Sequence, residues 1–157
     1  MEKTLFIIKP DALSKNFLGE ILDEIQKKGF KIIAMKMVKL SKKKAQNFYM
    51  EHKEKPFYKP LVEFMSSNPC VVCVLERKNA VKFLRKITGA TDPRNAKKGT
   101  LRKKYAQDGR HNAVHASDSL KSAKREINFF FKKSEIFLWK KKRYPTLLHR
   151  KLKISDG

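Results

Sequence analysis

Apolar residues fall along the chain in runs whose spacing says what each run builds. Lys3-Thr4-Leu5-Phe6-Ile7-Ile8 is a short apolar stretch stopped by Pro10 and reads as a buried strand. Leu18, Ile21, Leu22 and Ile25 recur at helical spacing. Glu20, Asp23, Glu24, Lys27 and Lys28 lie on the opposite face, and Gly29 is the stop. Phe30 to Leu40 sets Ile33, Met35 and Met37 against intervening lysines, which predicts a long strand. Ser41 can cap a helix running through Ala45 and Phe48. Lys55 to Pro60 is a break, Leu61 to Met65 a short helix, and Ser66-Ser67-Asn68-Pro69 a turn into the apolar run Cys70–Leu75. Asn79 is expected to cap a helix with Ala80, Val81, Phe83, Leu84 and Ile87 apolar, ended by Gly89. Thr91 to about Arg110 is a long polar loop, and a loop of that length inside a compact domain is usually functional. Ala113 to Ala116 reads as a short strand. Ser117-Asp118-Ser119 opens a helix with Leu120, Ala123, Ile127, Phe130 and Phe131 on one face.

The order is β-α-β-(α-α)-β-α-loop-β-α, which reduces to βαββαβ without its insertions. That is the ferredoxin-like split unit of the α+β class: a four-stranded antiparallel sheet with helices on one face. A length of 157 residues fits one domain, expected over 1–132, followed by a basic extension over 133–157. No apolar stretch nears the roughly 20 residues that span a bilayer. The N-terminus lacks a signal-peptide layout, so a cytoplasmic protein with no membrane association is expected.

Composition changes this picture in two places. Cys70 and Cys73 form a C-x-x-C spacing, but they sit inside a strand-like run rather than at a helix start, and a zinc site would need two more ligands. Buried, reduced thiols are the expectation. The net charge is +23, which suits a polyanionic partner or phosphorylated small molecules. Residues 132–157 carry 9 Lys+Arg and 2 acids, with Leu138, Trp139, Tyr144, Leu147 and Leu148 interleaved. This tail is a candidate nucleic-acid contact; the competing reading packs Leu138, Trp139 and Leu147 on the domain or a neighbouring subunit.

The candidate chemistry centres on Asn112-Ala113-Val114-His115-Ala116-Ser117-Asp118-Ser119. A histidine near a strand end, followed by polar residues that open a helix, is placed to face a cleft. A neutral imidazole is a competent nucleophile whose phosphoramidate can pass the group on. This segment resembles the N-x-x-H-G-S-D-S signature of nucleoside diphosphate kinases, with Ala116 in place of glycine. Further blocks similar to that family follow its order. They are Thr4 to Ala12, Phe48-Tyr49 with Glu51-His52, Lys55-Pro56-Phe57-Tyr58, Gly89 to Pro93, Gly99-Thr100-Leu101-Arg102, and Ser122-Ala123 with Glu126-Ile127. Lys55 stands where the family commonly has arginine.

The resemblance implies a ping-pong phosphotransferase carrying the terminal phosphoryl group of ATP or another nucleoside triphosphate to a nucleoside diphosphate through phospho-His115. It implies that Glu126 holds the other ring nitrogen and that Ser117 supports the arrangement. Lys9 lies by the transferring phosphate and Tyr49 positions Lys9 or that phosphate. Arg85, Thr91 and Arg102 hold phosphates, Asn112 the ribose, and Phe57 stacks on the base with Leu61 beside it. His52 is a further residue near the phosphates; His111 and His149 receive no role. Mg²⁺ is expected to be held mainly by nucleotide phosphates, with no dedicated protein metal site. A homotetramer or homohexamer is expected.

Overall fold

A computed structural model of the chain describes residues 1–144. The strands are β1 (Glu2–Ile8), β2 (Lys31–Val38), β3 (Cys70–Arg77) and β4 (Val114–Ala116). The helices are α1 (Pro10–Ser14), α2 (Leu18–Lys27), α3 (Lys42–Phe48), α4 (Tyr58–Ser67), α5 (Ala80–Thr88), α6 (Leu101–Tyr105) and α7 (Leu120–Phe130). The sheet runs β2-β3-β1-β4 with antiparallel neighbours throughout, the expected split-unit arrangement.

The crossover helices α2 and α5 share one face, where Ile21, Ile25, Ala80 and Leu84 meet Phe6, Ile8, Cys73 and Leu75. The second face is covered too. Phe48 of α3, Val62 and Met65 of α4, and Ile127 and Phe130 of α7 pack there on Leu5, Ile7, Val72 and Val74. Burial on both sides is why the two central strands, β1 and β3, read as nearly unbroken apolar runs.

Several local expectations change in the folded chain. Asn79 stands at the start of α5 but adopts a left-handed conformation (φ 53°) and gives no side-chain cap. The Glu2 carboxylate takes that place, accepting from the Val81 N–H at 3.3 Å. The alternation expected for β2 breaks at Ile33, an extra residue between Ile32 and Ala34 in the pairing with β3. A bulge shifts the phase of every later side chain. Ile33 and Ala34 are therefore both buried, while Met35 and Met37 point outward. Pro10 ends β1 and also opens α1, because its fixed φ and missing N–H suit a first helical turn. The polar loop after Thr91 contains α6, capped by Thr100 Oγ1 accepting from Lys103 N at 3.3 Å.

Past Phe131 the chain turns back along the open edge of β2. Phe137 N–H donates to the Ile33 carbonyl at 2.8 Å, and the Trp139 indole N–H donates to the Ile32 carbonyl at 3.0 Å. Leu138 stays exposed. Leu147, Leu148, His149, Arg150, Lys151 and Lys153 lie outside the described residues.

Candidate active site

His115 sits in the middle of β4, paired with Ile7 of β1, so its side chain shares Ile7's face of the sheet. There it meets α7 and α3. The Phe48 ring packs edge-on against the imidazole at 5.5 Å between centroids. Glu126, almost completely buried on α7, hydrogen-bonds Nε2 through Oε1. A carboxylate facing Nε2 favours the tautomer with the proton there, leaving the lone pair on Nδ1. Among the described residues, Nδ1 has no hydrogen-bond partner. The ring remains about a quarter exposed, at 23%.

The other face of β4 belongs to Val114 and Ala116, whose side chains join the α2–α5 core. β4 is an edge strand, and two arginines take its outward carbonyls. Arg102 Nη2 donates to Val114 O at 2.9 Å and Arg85 Nη1 to Ala116 O at 3.3 Å. Arg102 also donates through Nη1 to Gly89 O at 3.1 Å, while its buried Nε has no partner among the described residues. Burial and the nearby Arg85 lower the Arg102 pKa to about 10. These backbone bonds anchor both guanidinium groups at the end of the strand that carries the histidine.

Lys9, between β1 and α1, is buried, and its Nζ donates to Asn112 Oδ1 at 2.8 Å. Asn112 in turn donates to the carbonyls of Thr91 at 3.3 Å and Gly109 at 3.1 Å, tying the polar loop to the lysine. The Thr91 side chain is exposed, so only its backbone takes part in this link. Burial, then repulsion from Arg102, pulls the Lys9 pKa down to about 7, and Asp11 offsets part of this. Asp11 escaped the sequence reading. It is buried on α1, and its Oδ2 accepts from Ala113 N at 3.0 Å, where Ala113 has a φ of 71°. The signal for it was a lone acid directly after a strand-ending Lys-Pro.

Ser117 is fully buried and exchanges bonds with the Leu5 backbone, accepting from Leu5 N and donating to Leu5 O at 3.3 and 3.4 Å. It extends the β4–β1 pairing past His115 and touches no ring nitrogen. Tyr49 packs edge-on against Phe48 at 4.8 Å, with its buried hydroxyl unpartnered among the described residues and not bonded to Lys9. Burial raises its pKa. Phe57 is half exposed before α4, 5.4 Å from the His52 ring, while Leu61 packs against the core that contains Phe48 and Tyr49.

Ala116, the departure from the signature, has no positive φ; it lies in β4 with its methyl group buried. The constrained glycine is Gly89, with φ at 89° and Thr100 so close that a Cβ would stand 2.5 Å from Oγ1. The C-x-x-C pair does not converge. Cys70 belongs to one core and Cys73 to the other, since residues three apart on a strand face opposite ways.

Comparison with known proteins gives this geometry a family. Proteins called nucleoside diphosphate kinase from Campylobacter jejuni subsp. doylei and Persephonella marina are 57% and 52% identical over 87% of this chain, covering 100% and 97% of their own lengths. The crystal structure of the Aquifex aeolicus nucleoside diphosphate kinase superposes with a TM-score of 0.84 at 48% identity over 86% of this chain and 98% of its own. A halophilic nucleoside diphosphate kinase from Halobacterium salinarum in complex with CDP gives 0.87 at 34%, over 89% and 93%. The sequence model of the family described as nucleoside diphosphate kinase matches residues 2–136, and the chain belongs to that family of phosphotransferases.

Proposed function

We propose that this kinase works by a ping-pong route through phospho-His115, with Nδ1 as the nucleophile. The observation that carries the reading is the Glu126 bond to Nε2, which leaves the lone pair on the opposite nitrogen. In the first half-reaction that lone pair forms an N–P bond to the terminal phosphorus. The P–O bond to the nucleoside diphosphate breaks, and the diphosphate leaves with the electron pair. A second nucleoside diphosphate then attacks the phosphorus through its terminal oxygen, and the N–P bond returns its electrons to the ring. Glu126 stabilises the positive charge that the ring gains during attack.

Phosphoryl transfer asks chiefly for alignment and charge neutralisation. Lys9, Arg85 and Arg102 supply positive charge around β4. Arg85 and Arg102 reach β4 through backbone carbonyls, which holds their guanidinium charge beside the histidine's strand. In the remaining assignments Asn112 takes the ribose hydroxyls and Phe57 stacks on the base with Leu61 beneath it. Thr91 and His52 lie toward the phosphates, and Ser117 keeps β4 in register. Stacking on Phe57 tolerates any base. The lysine and guanidinium groups favour phosphate and repel a bare cation, so Mg²⁺ fits as an ion carried in by the phosphates, neutralising part of their charge. The CDP complex of the Halobacterium relative supports nucleotide occupancy of this fold. A cytoplasmic location carries over from the sequence expectation, and a homotetramer or homohexamer from the family resemblance.

The test is labelling. With γ-labelled ATP and Mg²⁺ the protein should acquire an acid-labile, base-stable phosphate that passes to added GDP, and His115→Ala should abolish it. Phosphorus NMR of the labelled protein should report the Nδ1 adduct. A wild-type protein that turns over without ever carrying label would exclude the covalent route.

A further inference from the structure

The kinase chemistry leaves the segment after Ile136 unused, and the family match stops at residue 136. This segment is pinned to the β2 edge. Besides the two bonds to Ile33 and Ile32, the Lys31 ammonium donates to the Trp139 carbonyl at 3.0 Å and lies 5.6 Å from the indole centroid. The pairing runs antiparallel to β2, so the chain after Trp139 heads toward the Lys27-Lys28-Gly29 turn. Trp139 is held, yet 40% of it stays open to solvent. Lys140, Lys141, Lys142 and Arg143 follow, all exposed, and then Tyr144 at 76% exposure. Among the described residues none of the four cations pairs with a carboxylate, and residues 139–144 frame an open concavity.

We propose that Trp139–Tyr144 is a binding strip for single-stranded nucleic acid. The two rings offer faces to unpaired bases, and the four cations between them offer charge to successive phosphates. In extended form the strip spans about 17 Å, enough to run beside several phosphates of a strand. Duplex DNA fits less well, because its bases are already stacked. An anionic membrane fits less well too: the strip is irregular, and surface-bound segments bury an apolar helical face while satisfying their own backbone groups.

The location separates this site from the kinase centre. β2 and β4 are the opposite edges of the sheet, so the strip and His115 stand at opposite rims. Trp139 is the only tryptophan in the chain, so its emission reports the strip alone. Full-length protein titrated with a 20-nucleotide oligo-dT should show quenched tryptophan emission, and saturating ADP should not reverse it. The logarithm of the affinity should fall with the logarithm of salt concentration. Lys140→Gln, Lys141→Gln, Lys142→Gln and Arg143→Gln combined should flatten that slope by about 0.7 per lost phosphate contact and weaken binding at least tenfold. Nucleotide turnover by this variant should match wild type. Unchanged affinity and slope in the variant would assign binding to the general +23 charge and overturn the proposal. So would displacement by ADP, or a tryptophan response to phosphatidylserine vesicles with none to the oligonucleotide.

Discussion

Lys9 is the residue where stability and chemistry pull apart. A buried ammonium bonded to a neutral amide and facing Arg102 is destabilised until phosphate arrives. Its pKa in the folded chain is about 7, against an ordinary 10.5, so between those values the unfolded chain holds more protons than the folded one. Stability contributed through this group therefore rises as pH climbs from 7 toward 10.5. Lys9→Met should raise the melting temperature at pH 7 and remove that rise, while lowering transfer about a hundredfold or more. In the wild type, calorimetry in buffers of different ionisation enthalpy should show proton uptake when ADP binds at pH 8. A Lys9→Met protein that melts lower would contradict this account. Ala116 gives the opposite case, a departure without strain. Ala116→Gly should leave turnover within about twofold and cost about 0.5–1 kcal/mol in denaturant titrations, as glycine does inside a strand. The two residues also mark what was legible in the sequence. The histidine and its cations were visible through an ordered set of motifs. The orphaned hydroxyl of Tyr49, the backbone bonds of Arg85 and Arg102, and the part played by Asp11 depend on contacts between residues up to 102 positions apart, which no local spacing encodes.

At the scale of elements, the helices α2, α5 and α7 were readable because each buries one stripe, and α2 ends as its sequence says. Gly29 N–H donates to Gln26 O and Phe30 N–H to Ile25 O, a Schellman closure. The phase of β2 was not readable, because a bulge leaves no periodic mark of its own. α1 and α6, each one turn long, were hidden by Pro10 and by a polar loop. The joint between α5 and α6 carries the next prediction. Gly89 holds a left-handed φ against Thr100, and its carbonyl receives Arg102. Gly89→Ala meets both a steric and a torsional penalty and should cost more than about 1 kcal/mol. Because Arg102 moves with that carbonyl, KM for nucleotide should rise as stability falls. A variant that is less stable with unchanged KM would detach Arg102 from phosphate binding.

Across the whole molecule, one sheet separates two cores and presents two unlike rims, one bearing His115 and the other the C-terminal strip. The same layering fixes the behaviour of the cysteines. Both thiols lie fully buried on the central strand β3, and burial pushes Cys70 up to about 11 and Cys73 up to about 12. Neither is a ready thiolate, and β3 lies between β2 and β1, so exposing both sulfurs takes the parting of the sheet on both its sides. Their modification by a maleimide or an aromatic disulfide should therefore wait for the sheet itself to come apart, with both sulfurs reacting in a single phase. The native protein carries, in effect, an internal stopwatch for its own global opening. Adding ADP should slow that clock by the factor with which the nucleotide tightens the fold, giving a measure of occupancy that needs no turnover at all.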